Sequence, residues 1–201
     1  ASLGLRENQQ EDLIVKVILA TRRLVEHAGG AEKVLIDTAN YLAVQGHDVE
    51  IWHFDKKRGL PFYPVDPRCR IVPLFWEEQN RYDRAARRIA KLVKESPLTG
   101  WVAREARHGM YRKCLRSRLE RTHPDVAVGY LAECFPYLIE AARGLDIPVV
   151  ASCHNVPEMD FADPRRWDPN PYDRRKRLSL LKEAAAITVI LPEFVEWFPE
   201  R

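Results

Sequence analysis

The apolar positions along the chain predict strands that alternate with helices. Residues 13–20 (LIVKVILA) form a nearly continuous apolar run of strand length, as expected for a central parallel strand buried on both faces. After a glycine-containing loop, apolar residues between 31 and 43 recur at the i, i+3, i+4 spacing of an amphipathic helix. Gly46 stands where that helix should end, and residues 48–54 (DVEIWHF) predict the next strand. Together these segments predict a βαβ unit.

The remaining chain continues the alternation. Further strands are predicted at 70–73, 125–129, 147–152 and 185–191. Helices are predicted at 81–95, 101–121, 133–143 and 174–182, with a short helical segment at 192–197. Residues 159–171 are rich in Pro and Asp and predict a loop. Strands and helices in this order predict an α/β fold with a Rossmann-like, doubly wound, mostly parallel sheet.

The composition is that of a folded domain. Hydrophobic residues make up 46% of the 201 positions, which is enough for a core. The apolar runs are far shorter than the ~20 residues that span a bilayer. Residues 1–12 lack the apolar centre of a signal peptide and predict a disordered segment or a terminus left by processing or cloning. The domain itself is expected to occupy residues 13–201.

The cysteines predict free thiols rather than a metal or redox site. Cys69, Cys114, Cys134 and Cys153 include no CxxC pair, which argues against a zinc ribbon and a thioredoxin-like motif. Buried thiols in a reducing cytoplasm are the simpler interpretation.

Positive charge is concentrated between residues 81 and 121. The formal net charge of the chain is +3, yet this stretch carries thirteen Lys and Arg against four Asp and Glu. Eight basic residues at helical spacing form the candidate surface: Arg84, Arg87, Arg88, Lys91, Lys94, Arg112, Lys113 and Arg116. With aromatic neighbours such as Trp101 and Tyr111, it suits an anionic membrane surface. A merely solvated face remains an equal alternative, and nucleic acid is the least favoured one.

Several standard motifs are missing from the sequence. None of the nine glycines forms a GxG, so the GxGxxG dinucleotide fingerprint is absent, as are the GxxxxGK[ST] loop and the GxSxG elbow. Their absence argues against the common types of NAD, ATP and α/β-hydrolase chemistry. The sequence also lacks DxD and metal-ligand spacing among its histidines, so we expect no bound metal.

Two predicted loops at one edge of the sheet carry the candidate chemistry. Gly29 and Gly30 precede a helix whose free N–H groups can bind an anion, although a tight turn would explain the glycines equally well. His154 directly follows a predicted strand and can serve as a hydrogen-bond donor or general acid–base. Glu133 is a candidate substrate contact, but a carboxylate that stabilises a helix N-terminus is the favoured alternative.

Residues 17–52 (VILATRRLVEHAGGAEKVLIDTANYLAVQGHDVEIW) resemble the N-terminus of retaining GT-B glycosyltransferases of the GT4 type. In that family a first strand leads to a GG-A-E loop and helix, and then to a G-H-x-V strand. Residues 149–158 (VVASCHNVPE) resemble the family's strand that ends in a histidine. The similarity covers most of residues 13–191, but residues 59–121 match only in character. Leu191-Pro192 also departs from the serine that members often have after the last strand.

The resemblance implies roles for particular residues. Gly29 and Gly30 would face the donor diphosphate and the transferred sugar, and His154 would be a catalytic residue beside that sugar. Asn155 and Glu133 would contact the acceptor. In such enzymes the N-terminal domain mainly receives the acceptor, whereas a C-terminal domain with an E-x7-E motif binds the nucleotide sugar. We expect that donor domain to be absent from this chain.

The resemblance therefore implies retaining, metal-independent transfer of a sugar from a nucleotide sugar to a lipid-linked or polysaccharide-precursor acceptor. No cofactor and no nucleic-acid partner are expected, and the chain alone should be inactive. It would be cytoplasmic and would dock on the inner face of the membrane through the basic surface. The alternative is a non-catalytic Rossmann-like module that binds an anionic ligand or partner.

Overall fold

A computed structural model describes residues 13–77, 100–163 and 171–198. The strands are β1 (Lys16–Ala20), β2 (Asp48–His53), β3 (Arg70–Pro73), β4 (Val126–Tyr130), β5 (Val149–Cys153) and β6 (Ala186–Val189). The helices are α1 (Gly30–Val44), α2 (Leu74–Glu77), α3 (Gly100–Thr122), α4 (Phe135–Ala142), α5 (Pro157–Phe161), α6 (Pro171–Leu181) and a 3₁₀ helix (Pro192–Trp197). The predictions for residues 1–12 and 81–95 lie outside the described residues.

The described strands form a single six-stranded sheet in the order β3-β2-β1-β4-β5-β6. All five neighbouring pairs are parallel, so every strand ends at the same edge of the sheet. Because β1 pairs with both β2 and β4, the chain proceeds outward from β1 in both directions. The crevice above β1 and β4 is therefore the switch point where open α/β sheets bind ligands. The Rossmann-like fold predicted from the sequence is confirmed.

Strand β1 is buried on both faces, as predicted, but it begins at Lys16, and Leu13 and Ile14 of the predicted run are exposed. Successive side chains of a strand point to opposite faces, so Leu19 and Ile18 enter different cores. Leu19 packs in one core with Leu35 of α1, and Ile18 packs in the other with Leu115 of α3 and Leu138 of α4. The sheet is thus covered by helices on both sides.

Two glycines set the geometry at the ends of elements. Gly46 has a φ of +90° just after α1, the left-handed conformation predicted for a helix end. At the end of β4, a Cβ on Gly129 would lie 2.6 Å from the Cα of Phe135. Glycine at position 129 therefore allows α4 to begin directly against the sheet.

The loop predicted at 159–171 is wrong in its first part. Met159 lies in α5, a short helix that begins at Pro157, and proline is well suited to the first position of a helix. The high Pro and Asp content suggested a loop. The helix forms nevertheless because the burial of Phe161 stabilises this turn.

All four cysteines are buried and free, as predicted. The hydroxyl of Tyr111 donates a hydrogen bond to Sγ of Cys134 at 3.0 Å, and that thiol donates to the carbonyl of Ala20 at 3.2 Å. Burial raises the pKa of Cys134 to about 12, so its thiol is protonated and unreactive at neutral pH.

None of the described helices combines the length and the apolar character needed to cross a lipid bilayer.

Candidate functional site

A cleft of about 680 Å³ opens at the carboxyl edge of the sheet. It lies at the switch point, between the loop after β1, the start of α1 and the loops after β4 and β5. Its lining residues are Arg23, His27, Gly29, Gly30, Ala31, Glu32, Val34, Leu131, Ala132, Glu133, His154, Asn155 and Ile190. The structure thus brings together the predicted donor-site, acceptor-site and catalytic residues. Their roles stay predictions.

The two glycines of the loop have different surroundings. Gly29 is the N-cap of α1 and Gly30 is its first residue. A Cβ on Gly29 would collide with Oε2 of Glu32, whereas a Cβ on Gly30 would meet nothing within 4 Å. Gly29 therefore leaves room for a side chain of the protein itself. Gly30 leaves open space at the start of α1, where free N–H groups can bind an anion.

Asp55 holds the loop after β1 in place. Its carboxylate accepts hydrogen bonds from the backbone N–H groups of Leu24 and Val25 at 2.8 and 3.1 Å, and it lies 2.9 Å from Nδ1 of His53. Burial acts to raise the pKa of Asp55, but the hydrogen bonds from His53 and the two backbone groups outweigh it and lower that pKa. The end of β2 thus fixes the loop that leads to the cleft.

His154 is positioned by three side chains. Its Nε2 lies 2.9 Å from Oγ of Ser152, which in turn lies 2.9 Å from Oγ1 of Thr188. The imidazole stacks on the ring of Tyr130, with 5.2 Å between the ring centroids. Burial lowers the pKa of His154 below 6.5, although the charge of Glu32 acts to raise it. The imidazole is therefore neutral at pH 7 and can exchange hydrogen bonds with a ligand.

Glu133 lies just before α4, which begins at Phe135. Its side chain is 13% exposed and lies 3.4 Å from the guanidinium of Arg23, which is 60% exposed. Burial raises the pKa of Glu133, and the neighbouring charge of Arg23 offsets this only in part. A largely buried carboxylate beside an exposed cation, at the wall of a cleft, is a typical ligand contact.

Asn155 lines the cleft beside His154. Its amide Nδ2 donates to both carboxylate oxygens of Asp160, at 3.1 and 3.2 Å. Asp160 belongs to α5 and is buried. This short helix, which the sequence did not predict, therefore fixes the orientation of the Asn155 amide.

Sequence reasoning missed two charged residues of the cleft, Arg23 and Glu32. Glu32 is 5% exposed on its side chain and lies 3.6 Å from Nδ1 of His27. Glu32 is the acidic residue of the GG-A-E run, so the motif contained a signal for it. The cleft combines a helix N-terminus, a neutral imidazole, the buried carboxylate of Glu32 and the partly buried carboxylate of Glu133. Such a set can hold a ligand that carries both an anionic group and hydroxyl groups.

Five residues of the predicted basic surface lie outside the described residues: Arg84, Arg87, Arg88, Lys91 and Lys94. Arg112 donates two hydrogen bonds, of 2.6 and 2.7 Å, to the carboxylate of Glu105. Arg116 donates to Glu120 at 2.6 Å and to backbone carbonyls near the end of α4. Lys113 is exposed. Arg112 and Arg116 are thus engaged within the chain, and the membrane role of this surface stays a prediction.

Metal-binding side chains do not cluster in the part of the chain that the structure describes: no three His, Cys, Asp or Glu residues are placed to hold an ion together. Metal independence itself stays a prediction.

Comparisons with known proteins are consistent with this geometry. The family described as Glycosyltransferase Family 4 matches residues 28–199. The structure of sucrose-phosphate synthase from Thermosynechococcus elongatus is similar with a TM-score of 0.56 and 11% sequence identity. That match covers 90% of this chain and 44% of the synthase chain, so this chain spans less than half of the synthase. At this identity the likeness shows a shared fold. No curated protein sequence matches the chain.

Proposed function

Since the chain belongs to Glycosyltransferase Family 4, we propose that it is the acceptor-side domain of an enzyme that transfers a sugar from a nucleotide sugar. The acceptor is a lipid-linked molecule or a polysaccharide precursor. The observation that carries this proposal is the cleft at the switch point of the sheet, which Gly30 lines from the start of α1 and His154 lines from the loop after β5.

The start of α1 receives the donor diphosphate. Gly30 has open space where other residues carry a side chain, so a phosphate can approach the free N–H groups of the first helical turn. The positive end of the helix dipole stabilises the charge that develops as the diphosphate leaves. Gly29 contributes indirectly, because it makes room for the carboxylate of Glu32.

His154 contacts the transferred sugar. A neutral imidazole held by Ser152 and Tyr130 presents a fixed hydrogen-bonding group, and fixed groups are most effective when they match the transition state. Retention of configuration and metal independence are further parts of the proposal. They rest on the resemblance of residues 17–52 and 149–158 to retaining enzymes.

Glu133 and Asn155 contact the acceptor, with Arg23 beside them. The carboxylate of Glu133 can accept hydrogen bonds from sugar hydroxyls, and Arg23 provides a cation for an anionic acceptor. The resemblance to GT4 enzymes supports the further proposal that a second domain holds most of the nucleotide sugar, and the chain spans 44% of the synthase structure that it matches. The chain alone therefore has no transferase activity.

The test replaces His154 with Ala in a longer protein that includes the donor domain. We expect kcat for nucleotide-sugar turnover to fall about 100-fold, as is typical when a transition-state hydrogen bond is removed. His47→Ala is the matched control, since His47 lies at the amino edge of the sheet, next to Val15. Full activity of the His154→Ala protein would remove the proposed role, and turnover by the 201-residue chain alone would contradict the need for a donor domain.

A further inference from the structure

The loop between β2 and β3 has an exposed apolar tip that follows a run of cations. Leu60 is 78% exposed and Phe62 is 62% exposed. Lys56, Lys57 and Arg58 precede them directly and are also exposed. No acidic residue interrupts this segment, which we call the 56–62 tip. Exposed large apolar side chains beside a cluster of cations mark an interaction surface.

The 56–62 tip is fixed to the body of the domain. Pro61 forms an antiparallel bridge with Val25, and the backbone N–H of Glu26 donates to the carbonyl of Leu60 at 3.1 Å. The ring of Phe62 meets that of Tyr63 edge-on, with 5.1 Å between centroids. The apolar side chains are therefore held outward, and binding would cost little further ordering of the backbone.

One cation of the tip lies against an exposed tryptophan. The guanidinium of Arg58 lies 4.5 Å from the ring centroid of Trp76, which is 40% exposed. Tryptophan and basic residues are enriched at the headgroup level of bilayers. Lys57 contacts Glu26, while Arg58 and Lys56 add positive charge on the same loop. After Glu77 and Glu78 the sequence becomes basic again, with six Lys and Arg against one Asp between residues 81 and 94.

We propose that the 56–62 tip docks on an anionic lipid bilayer. Leu60 and Phe62 enter the headgroup region, and the three cations approach the lipid phosphates. The tip is bonded to Val25 and Glu26, and the next residue along that loop, His27, lines the cleft. Docking thus holds the mouth of the cleft close to the membrane surface. This proposal goes beyond the proposed function, because lipid binding needs neither sugar donor nor acceptor.

A label on the tip provides the direct test. Because the four native cysteines are buried, a thiol introduced by Leu60→Cys can be labelled selectively with the environment-sensitive dye NBD. Val44→Cys is the matched control. Val44 is 57% exposed and is the last residue of α1, whose first residue, Gly30, lies at the cleft. With phosphatidylcholine vesicles that contain phosphatidylglycerol, we expect NBD emission at position 60 to increase and shift to the blue, and emission at position 44 to stay constant. Unchanged emission at position 60 would overturn the proposal.

Vesicle co-sedimentation measures the contribution of each part of the tip. Removing three cations (Lys56→Gln, Lys57→Gln, Arg58→Gln) should lower the partition coefficient on anionic vesicles on the order of 100-fold. The double variant Leu60→Ser, Phe62→Ser should lower it about tenfold or more. Tyr41→Ser, Val44→Ser is the control with equally exposed apolar residues on α1, and it should partition like the wild type.

Three results would contradict this proposal: no vesicle binding by the wild type, equal binding to neutral vesicles, or unchanged binding by both tip variants. Thermal unfolding of each variant checks that the fold is intact. In the longer protein with a water-soluble acceptor, the tip variants should keep their turnover while His154→Ala loses it. Failure of the membrane proposal and failure of the proposed function are therefore separate outcomes.

Discussion

Two groups of buried charges in this domain differ in what surrounds them. The first joins α3, α4 and α6. Arg104 is only 3% exposed on its side chain, and it donates hydrogen bonds to Asp173 at 2.6 Å and to Glu140 at 2.7 Å. Its guanidinium also lies over the ring of Tyr137, 5.0 Å from the centroid. Burial acts to lower the pKa of Arg104, but the bonded carboxylates outweigh it and raise that pKa.

The second group lines the cleft. Glu32 and Glu133 are nearly as buried, but their partners, His27 and Arg23, are 45% and 60% exposed and lie at 3.6 and 3.4 Å. Short internal pairs mark the Arg104 group as a structural network. The cleft carboxylates have looser partners and face open space, so their charge is available to a ligand. Similarly buried charges therefore serve stability in one region and ligand binding in the other. Substitutions in the two regions should have different effects on the free energy of unfolding.

The largest expected effect is on stability, from Arg104→Ala. It leaves Asp173 and Glu140 buried without their main cation, which should lower the free energy of unfolding by about 3–5 kcal/mol. Urea unfolding followed by circular dichroism measures this change. The matched control is Lys33→Ala, which breaks the exposed pair with Asp37 on α1 and should change the free energy by less than about 1 kcal/mol. A loss as small as that of the control would show that the network is not structural.

Glu133→Gln should have a smaller effect of opposite sign. Burial raises the pKa of Glu133 above the 4.5 of an unfolded chain, so the folded state binds a proton more tightly and the charged form destabilises it at neutral pH. The variant should be more stable than wild type at pH 7. This gain should shrink as the pH falls through the folded-state pKa and vanish below 4.5.

Glu183→Gln is the control for that pH dependence. The hydrogen bond from Arg143 lowers the pKa of Glu183, so its stabilisation is present above its unfolded-state pKa of 4.5 and is lost as the pH falls through the folded-state value. This substitution should therefore destabilise at pH 7 and become neutral in acid. Unfolding curves at several pH values show whether each of the two variants is more or less stable than wild type. A loss of stability at pH 7 in Glu133→Gln would mean that Arg23 stabilises the folded state by more than burial costs.

Gly30→Ala should produce the smallest change in stability. Its Cβ meets nothing within 4 Å, and alanine restricts the unfolded chain, so we expect a gain of about 0.5 kcal/mol. In the longer protein the added methyl group occupies the donor side of the cleft and should raise KM for the nucleotide sugar. Gly109→Ala, within α3, is the control, because its Cβ makes only one contact, at 3.4 Å. If both variants had the same KM for the nucleotide sugar, the donor would not bind next to Gly30.

The fold could be predicted from the sequence because its signals are local. The apolar run of β1 and the helical period of α1 depend only on neighbouring residues, and strands alternating with helices leave few other topologies. The meeting of Gly30, Glu133 and His154 was predictable for the same reason, since the ends of parallel strands share one edge.

Contacts between distant side chains were not predictable in this way. The sequence presents Arg112 and Arg116 as part of a basic face, but the packing of α3 on α4 places Arg112 3.6 Å from Glu140 and lets Arg116 donate to the backbone carbonyls of Ala141 and Arg143. The hydrogen bonds of Asp55 reach backbone groups about thirty residues away, which no periodicity reveals. The backbone hydrogen bond from Glu26 to Leu60, which holds Leu60 outward, also joins residues far apart in the sequence.

The packing of Glu32 onto Gly29 has a consequence for how this loop can evolve. The backbone at Gly29, with a φ of −89° and a ψ of 159°, is one that any residue can adopt, so the carboxylate alone stands in the way of a side chain. A side chain at position 29 therefore requires the buried Glu32 carboxylate to shift, and this requirement disappears once Glu32 has been replaced by a small residue. The order of substitutions matters, and the two positions should vary together in related sequences.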